Sequence, residues 1–284
     1  MSTPLTLPEV AELLGVHYMT AYRYVRTGRL AATKSGSTWM VDPAAVEAFR
    51  SGETEPATRQ TGGASLPRTA KRLEARLLAG DRAGALEVVD EALAGGATLS
   101  QVEVDLIATA LRSIGTRWHE GELSVGDEHR ATVVAQHVLA VVSSRFARRG
   151  RRRGTVVIGA APGDDHQIPV TIAADHLRAA GYEVVDFGVD TPPEAFAEAA
   201  ASSTPVAVVV GATMPDRLPA VRRVVRAVRA AAFAVPVLVG GAAIGSEQVA
   251  RSLGADGWTG PDAPALVTSV DEVGSPSEDD DPEP

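Results

Sequence analysis

The feature that most constrains this chain is a set of short apolar runs in its second half. They are Thr155–Ala160, Glu183–Phe187, Val206–Val210, Val235–Val239 and a short one near Trp258. The runs are rich in β-branched residues and do not alternate with polar ones, which is the pattern of strands buried on both faces. Between and after them, helical spacing of apolar residues appears at about 168–180, 193–202, 217–232, 246–253 and 263–272. Strands buried on both faces need helix layers above and below, and parallel neighbours need helical crossovers. The sequence therefore predicts an α/β doubly wound parallel sheet over 154–273, of strand order 2-1-3-4-5.

Such sheets bind ligands at the carboxyl ends of strands, where the strand order reverses. Three loops meet that description. The first, Pro162-Gly163-Asp164-Asp165-His166-Gln167-Ile168-Pro169, offers an imidazole flanked by the carboxylates of Asp164 and Asp165. Histidine is the commonest metal ligand, and a neighbouring carboxylate fixes its tautomer and raises its basicity. The plainer reading is a polar turn whose Asp caps the next helix. The second loop contains Thr213. The third contains Gly240-Gly241, where missing side chains let a ligand approach the backbone. No GxGxxG follows the first strand, so the dinucleotide fingerprint is absent.

Residues 66–150 read as a four-helix bundle, with helices at about 67–79, 81–94, 98–117 and 124–147 joined by short Gly-containing connections. Ser124 and Asp127 form a capping-box pattern at the start of the fourth helix. Val125, Glu128 and His129 then share one face of its first turns, near Trp118 and His119 at the end of the helix before. The alternative is a core Trp118 and a solvated first turn.

Residues 1–50 give helix, Gly-containing turn, helix, and then two short strands around Ser35-Gly36. Thr6 is placed to cap the first helix. The second helix, from about Met19 to Arg26, presents Thr20, Arg23, Tyr24 and Arg26 beside His17 and Tyr18, and the hairpin carries Lys34. Those side chains suit base edges and phosphates. Residues 51–65 read as a flexible linker and 274–284 as a disordered acidic tail. The net charge of -9 is unevenly spread, with the basic run Arg148-Arg-Gly-Arg-Arg-Arg153 opposing that tail, so it neither supports nor excludes nucleic-acid binding. Cysteine is absent, which excludes disulfides and thiolate metal sites. No signal peptide and no membrane-spanning run are seen, so a soluble cytoplasmic protein with no membrane partner is expected.

Several motifs bring known families into view. The stretch GDDHQIP…LRAAGYEVVDFGVDTP…VGATMP…VPVLVGG resembles the cobalamin-binding domain of corrinoid proteins. That resemblance implies a corrinoid held from below by His166, with Asp164 as its polar neighbour and Thr213, Gly240 and Gly241 lining the slot for the nucleotide tail. The family has Gly where this chain has Pro169, which removes a backbone N–H and fills space near the tail. Residues 1–50 resemble the winged helix-turn-helix of MerR and excisionase-like DNA-binding families, in a minimal version. Trp118, nine residues, then Glu128-His129 is similar to the Trp-x9-Glu-His motif of CarH-type photoreceptors. It implies that Trp118, Val125, Glu128 and His129 shelter an adenosyl group above cobalt, with His119 as an upper ligand after photolysis.

Taken together, the resemblances imply a cobalamin-binding, light-responsive transcriptional repressor using adenosylcobalamin, and not an enzyme. Its expected partners are a double-stranded DNA operator and further copies of itself, as a dimer or tetramer dependent on ligand or light. Two alternatives stand beside it. One is a light-independent cobalamin or other ligand sensor that regulates transcription. The other is a corrinoid methyl carrier serving a methyltransferase.

Overall fold

The computed structural model describes residues 4–14, 25, 30, 32–35, 38–51, 66–146 and 152–274. The chain divides into two compact units, Met1–Gly63 and Ala64–Pro284. In the first unit, β1 (Leu5–Thr6), β2 (Thr33–Ser35) and β3 (Thr38–Val41) form an antiparallel sheet of order β1-β3-β2. Helices α1 (Leu7–Leu13) and α2 (Pro43–Ser51) pack on it through Leu7, Val10, Val41 and Val46. The Thr6 N–H and hydroxyl both donate to Glu9 Oε2 at 2.7 Å, which starts α1 and holds the Glu9 carboxyl below its ordinary range. The sequence reading missed β1, whose two residues are too few to show a period.

The expected winged helix-turn-helix is not confirmed by the structure. The hairpin is there, but the second helix lies outside the described residues, and so do His17, Tyr18, Thr20, Arg23, Tyr24 and Arg26. Lys34 is placed on β2. The linker at 52–65 and the tail from 275 also lie outside the described residues.

The second unit opens with a helical bundle: α3 (Leu66–Leu78), α4 (Arg82–Ala94), α5 (Leu99–Gln101), α6 (Ala108–His119) and α7 (Val125–Ser143). Ser124 and Asp127 form the reciprocal capping box at the start of α7. The helix expected to run without a break from about 98 to 117 is instead interrupted. Residues Val102–Ile107 form a π-helix between α5 and α6, and the Ala108 N–H reaches back five residues to the Glu103 carbonyl. Leu73, Leu77, Leu106, Ile107, Ile114, Val138 and Val142 fill the bundle core.

The sheet follows, with β4 (Thr155–Ala160), β5 (Glu183–Asp186), β6 (Ala207–Gly211), β7 (Val237–Gly240) and β8 (Gly257–Trp258). All neighbours are parallel and the order is β5-β4-β6-β7-β8, the doubly wound order the apolar runs predict. Helices α8 (Gln167–Ala180) and α12 (Ala263–Gly274) cover one face, through Val170, Leu177, Leu266 and Val270. The other face carries α9 (Pro193–Ser203), α10 (Leu218–Ala231) and α11 (Glu247–Ser252), through Phe196, Val221, Val224 and Ala250. Alternate residues of β4 show why the strand reads as continuously apolar. Val157 enters one core and Val156 and Ile158 the other.

The bundle docks on α8, whose Ile168, Ile172 and Ala179 pack against the bundle core. A polar cluster is sealed into that junction. Glu103 and Asp175 are both fully buried, and His176 is 8% exposed. Asp175 pairs with Arg178 at 2.8 Å. His176 uses Nδ1 on the Ile172 carbonyl at 2.8 Å and Nε2 on Ser100 Oγ at 2.7 Å. His176 Nδ1 stands 3.5 Å from Glu103 Oε2, and burial, then the charge of the neighbouring Asp175 carboxylate and a hydrogen bond to it, pushes the Glu103 carboxyl up to about 9. Among the described residues no helix is long and apolar enough to cross a membrane.

Candidate functional site

The loop between β4 and α8 lies at the reversal of strand order, between β5 and β6. It leaves β4 through a bond from the Ala161 N–H to the Gly211 carbonyl of β6, at 2.9 Å. It then turns, with the Asp164 N–H donating to the Ala161 carbonyl at 3.0 Å. Gly163 serves this turn with φ +80°, a conformation costly for side-chain-bearing residues.

The turn delivers Asp164 into the protein, 1% exposed. Its Oδ1 accepts from the His166 N–H at 3.1 Å and from His166 Nδ1 at 2.8 Å. Its Oδ2 accepts from the Thr213 N–H at 2.5 Å. Burial pushes this carboxyl up, but the Thr213 and His166 N–H groups and the imidazole outweigh it, holding the group below the usual carboxylate range. A carboxylate acceptor requires the imidazole proton on Nδ1, which leaves the Nε2 lone pair free. Among the described residues Nε2 has no hydrogen-bond partner, and the side chain is 42% exposed. Asp165 is different. Its carboxylate is 90% exposed and 3.6 Å from Nδ1, beyond hydrogen-bond reach, so it does not orient the ring.

His166 borders an open, mainly apolar slot. Its walls come from the carboxyl ends of β4, β6 and β7 and from α8 and α12, and include Val170, Ala173, Thr213, Gly240, Gly241 and Leu266. Gly241 has φ +99°, and a Cβ there would stand 2.3 Å from the Ala212 carbonyl oxygen, so only glycine fits. Pro169 also lines the slot. Thr213 and Thr259 are the hydroxyl-bearing residues of its lining, and His166 borders it.

The structure thus brings together Asp164, His166, Thr213, Gly240 and Gly241. It does not join them to the bundle residues, since no hydrogen bond or ion pair among the described residues links the two groups. Trp118 is 47% exposed at the end of α6, so it is not a core aromatic. Val125 and His119 are also exposed. His129 Nδ1 contacts Glu128 Oε2 at 2.7 Å, and Glu128 Oε1 accepts from the Thr132 hydroxyl at 2.7 Å. Sequence reasoning missed Ala173, Thr259 and Leu266, which look like ordinary core positions until the sheet brings them to one slot. It also passed over Asp190, although the acid follows a glycine turn after β5.

Comparison with known proteins follows this geometry. The B12 binding domain family matches residues 154–268, a second B12 binding domain family matches 69–143, and a helix-turn-helix domain family matches 4–54. Together the three fit a cobalamin-binding protein with a helix-turn-helix element. The trimethylamine corrinoid protein of Methanosarcina barkeri is 30% identical over 191 residues, 65% of this chain and 88% of the relative. A corrinoid protein of Desulfitobacterium hafniense is 27% identical over 183 residues, 59% of this chain and 84% of its own length. The solved structure of the Methanosarcina barkeri monomethylamine corrinoid protein superposes with a TM-score of 0.64 at 20% identity, covering 73% of this chain and all of that one. That likeness is one of fold.

These relatives correct the functional expectation. A light-responsive transcriptional repressor, with a DNA operator and light-dependent copies of itself as partners, is overturned by relatives named as corrinoid proteins and matched along most of their length. The physical reason is where a stretch of that length must fall: it is too long for the N-terminal unit and has to extend over the bundle and the sheet, whose loop carries His166. The role of His119 as an upper ligand depended on photolysis and is not carried forward.

Proposed function

This chain belongs to the corrinoid protein family, and from that premise we propose that it is a methyl carrier, holding a corrinoid for a partner methyltransferase. The observation that carries the reading is the His166 imidazole. Nδ1 is committed to a buried carboxylate that is itself fixed by the Thr213 N–H, while Nε2 has no hydrogen-bond partner among the described residues and the side chain borders an apolar slot. A bound corrinoid supplies a cobalt centre that accepts a methyl group from one molecule and yields it to another.

The protein's own groups do the holding. His166 would hold the cobalt through Nε2. Asp164 fixes the tautomer and makes the ring a stronger donor. The slot takes the nucleotide tail, with Gly240 and Gly241 allowing close approach to the backbone. On the bundle, Trp118, Val125, Glu128 and His129 cover the upper side, and their exposure leaves them available to a ligand.

The test is loading purified protein with methylcobalamin and, separately, adenosylcobalamin, followed by gel filtration and absorbance. His166→Ala should lose the spectral signature of imidazole ligation and at least tenfold in retention, as expected when a metal ligand is removed. A His166→Ala protein with unchanged spectrum and retention would refute the site. Transfer of a methyl group to or from the loaded chain by a methyltransferase tests the carrier role.

A further inference from the structure

The loop that presents His166 is clamped from outside by a residue with no part in the cofactor contacts described above. Asp190 follows β5 and adopts φ +48°, a conformation uncommon for a residue with a side chain. Its carboxylate Oδ1 accepts from the Gly163 N–H at 2.6 Å, and its own N–H donates to the Asp164 carbonyl at 2.9 Å. The two bonds straddle the peptide that joins Gly163 to Asp164. On its other side Gly163 meets the Arg217 guanidinium, since a Cβ built there would lie 3.1 Å from Nη1. The next residue in the chain, Thr191, donates its N–H to the Ala160 carbonyl at the end of β4, at 3.1 Å. The turn is therefore held against the end of its own strand.

Of these contacts, the Asp190 carboxylate is the side-chain hydrogen bond to the turn that can be removed without touching the imidazole or its carboxylate. The Asp164 side chain can meet both His166 and the Thr213 N–H only while its backbone stays where the turn puts it.

We propose that Asp190 is a positioning residue for His166, fixing the Gly163–Asp164 peptide so that the Asp164 carboxylate holds the imidazole with Nε2 toward the corrinoid. The inference rests on the corrinoid reading above for its consequence, but not for the clamp itself. The strain at φ +48° is the local cost of placing an acceptor opposite the Gly163 N–H.

Two substitutions separate positioning from plain stability. Asp190→Asn keeps an oxygen acceptor and tolerates the left-handed conformation. Asp190→Gly removes the acceptor and relieves the backbone, so folding is spared. In the corrinoid-free full chain, amide exchange at Gly163 should speed up about tenfold in Asp190→Gly, the loss expected of one hydrogen bond to a charged group. In Asp190→Asn, which keeps a neutral acceptor, it should fall between the parent and Asp190→Gly. With cob(II)alamin bound, the electron paramagnetic resonance nitrogen splitting from the imidazole should be lost or divided in Asp190→Gly and restored in Asp190→Asn. Unchanged Gly163 exchange in Asp190→Gly overturns the clamp. Changed exchange with an unchanged nitrogen splitting overturns the positioning role. A parent chain that takes no corrinoid fails the function reading instead, and the exchange result still stands by itself.

Discussion

Replacing Glu103 by Gln should stabilise the protein at neutral pH, by an amount that grows with pH. Glu103 is completely buried where the π-helix meets α8, and its ordinary value of 4.5 rises to about 9. One pKa unit corresponds to about 1.4 kcal/mol, so keeping this carboxyl protonated at pH 7 costs roughly 3 kcal/mol against an unfolded chain in which it ionises. The sign follows from the raised value. The group's contribution is fully present below about 4.5, where it is neutral in both states, and is lost progressively as pH rises toward 9. Gln needs no proton and can donate to the same Asp175 carboxylate. Asp175 with Arg178 is common to both proteins and cancels in the difference, while His176, whose Nδ1 stands 3.5 Å from Glu103 Oε2, keeps its bonds to the Ile172 carbonyl and Ser100 in the variant. Urea unfolding of the full chain and of Glu103→Gln should therefore give nearly equal stability at pH 5. At pH 8 the variant should lead by several kcal/mol, a gap of about 1.4 kcal/mol per pH unit. A stability difference that does not change with pH would refute the reasoning, whatever its size.

Two substitutions in the slot probe its shape. Pro169→Gly restores a backbone N–H and removes the ring from the slot wall, so corrinoid affinity should rise about three- to tenfold by titration, the effect of roughly one hydrogen bond. Gly241→Ala should cost about 2 kcal/mol or more in thermal or urea unfolding, since the new Cβ meets the Ala212 carbonyl and the backbone is already left-handed. The same variant should lose corrinoid retention, because β7 and β6 can separate only by deforming the slot.

Much of the site could be read before the structure because its residues are local in sequence. Asp164 and His166 stand two apart, so one turn suffices to put carboxylate and imidazole in contact. The cap at Ser124 and Asp127 is equally local. Asp190 was not legible in this way, since its partner Gly163 is twenty-seven residues away. The π-helix was also hidden. Val102–Ile107 has ordinary helical spacing, and only the docking surface of α8 shows that this stretch carries a buried acid. Asp165 illustrates the reverse error, for adjacency to His166 suggested a partner and the turn sends it to solvent.

By itself the sequence determined the layered sheet and its strand order and put Asp164 and His166 on one loop, because apolar periodicity and turn residues act over a few neighbouring positions. Tertiary structure alone decided which groups share the site. It carried Thr213 to Asp164, Asp190 to Gly163, and Leu266 and Thr259 to one slot, and it sealed Glu103 against Asp175. Each of those contacts closes a long loop of chain. Its energy appears only when the sheet and bundle have packed, so no local pattern announces it.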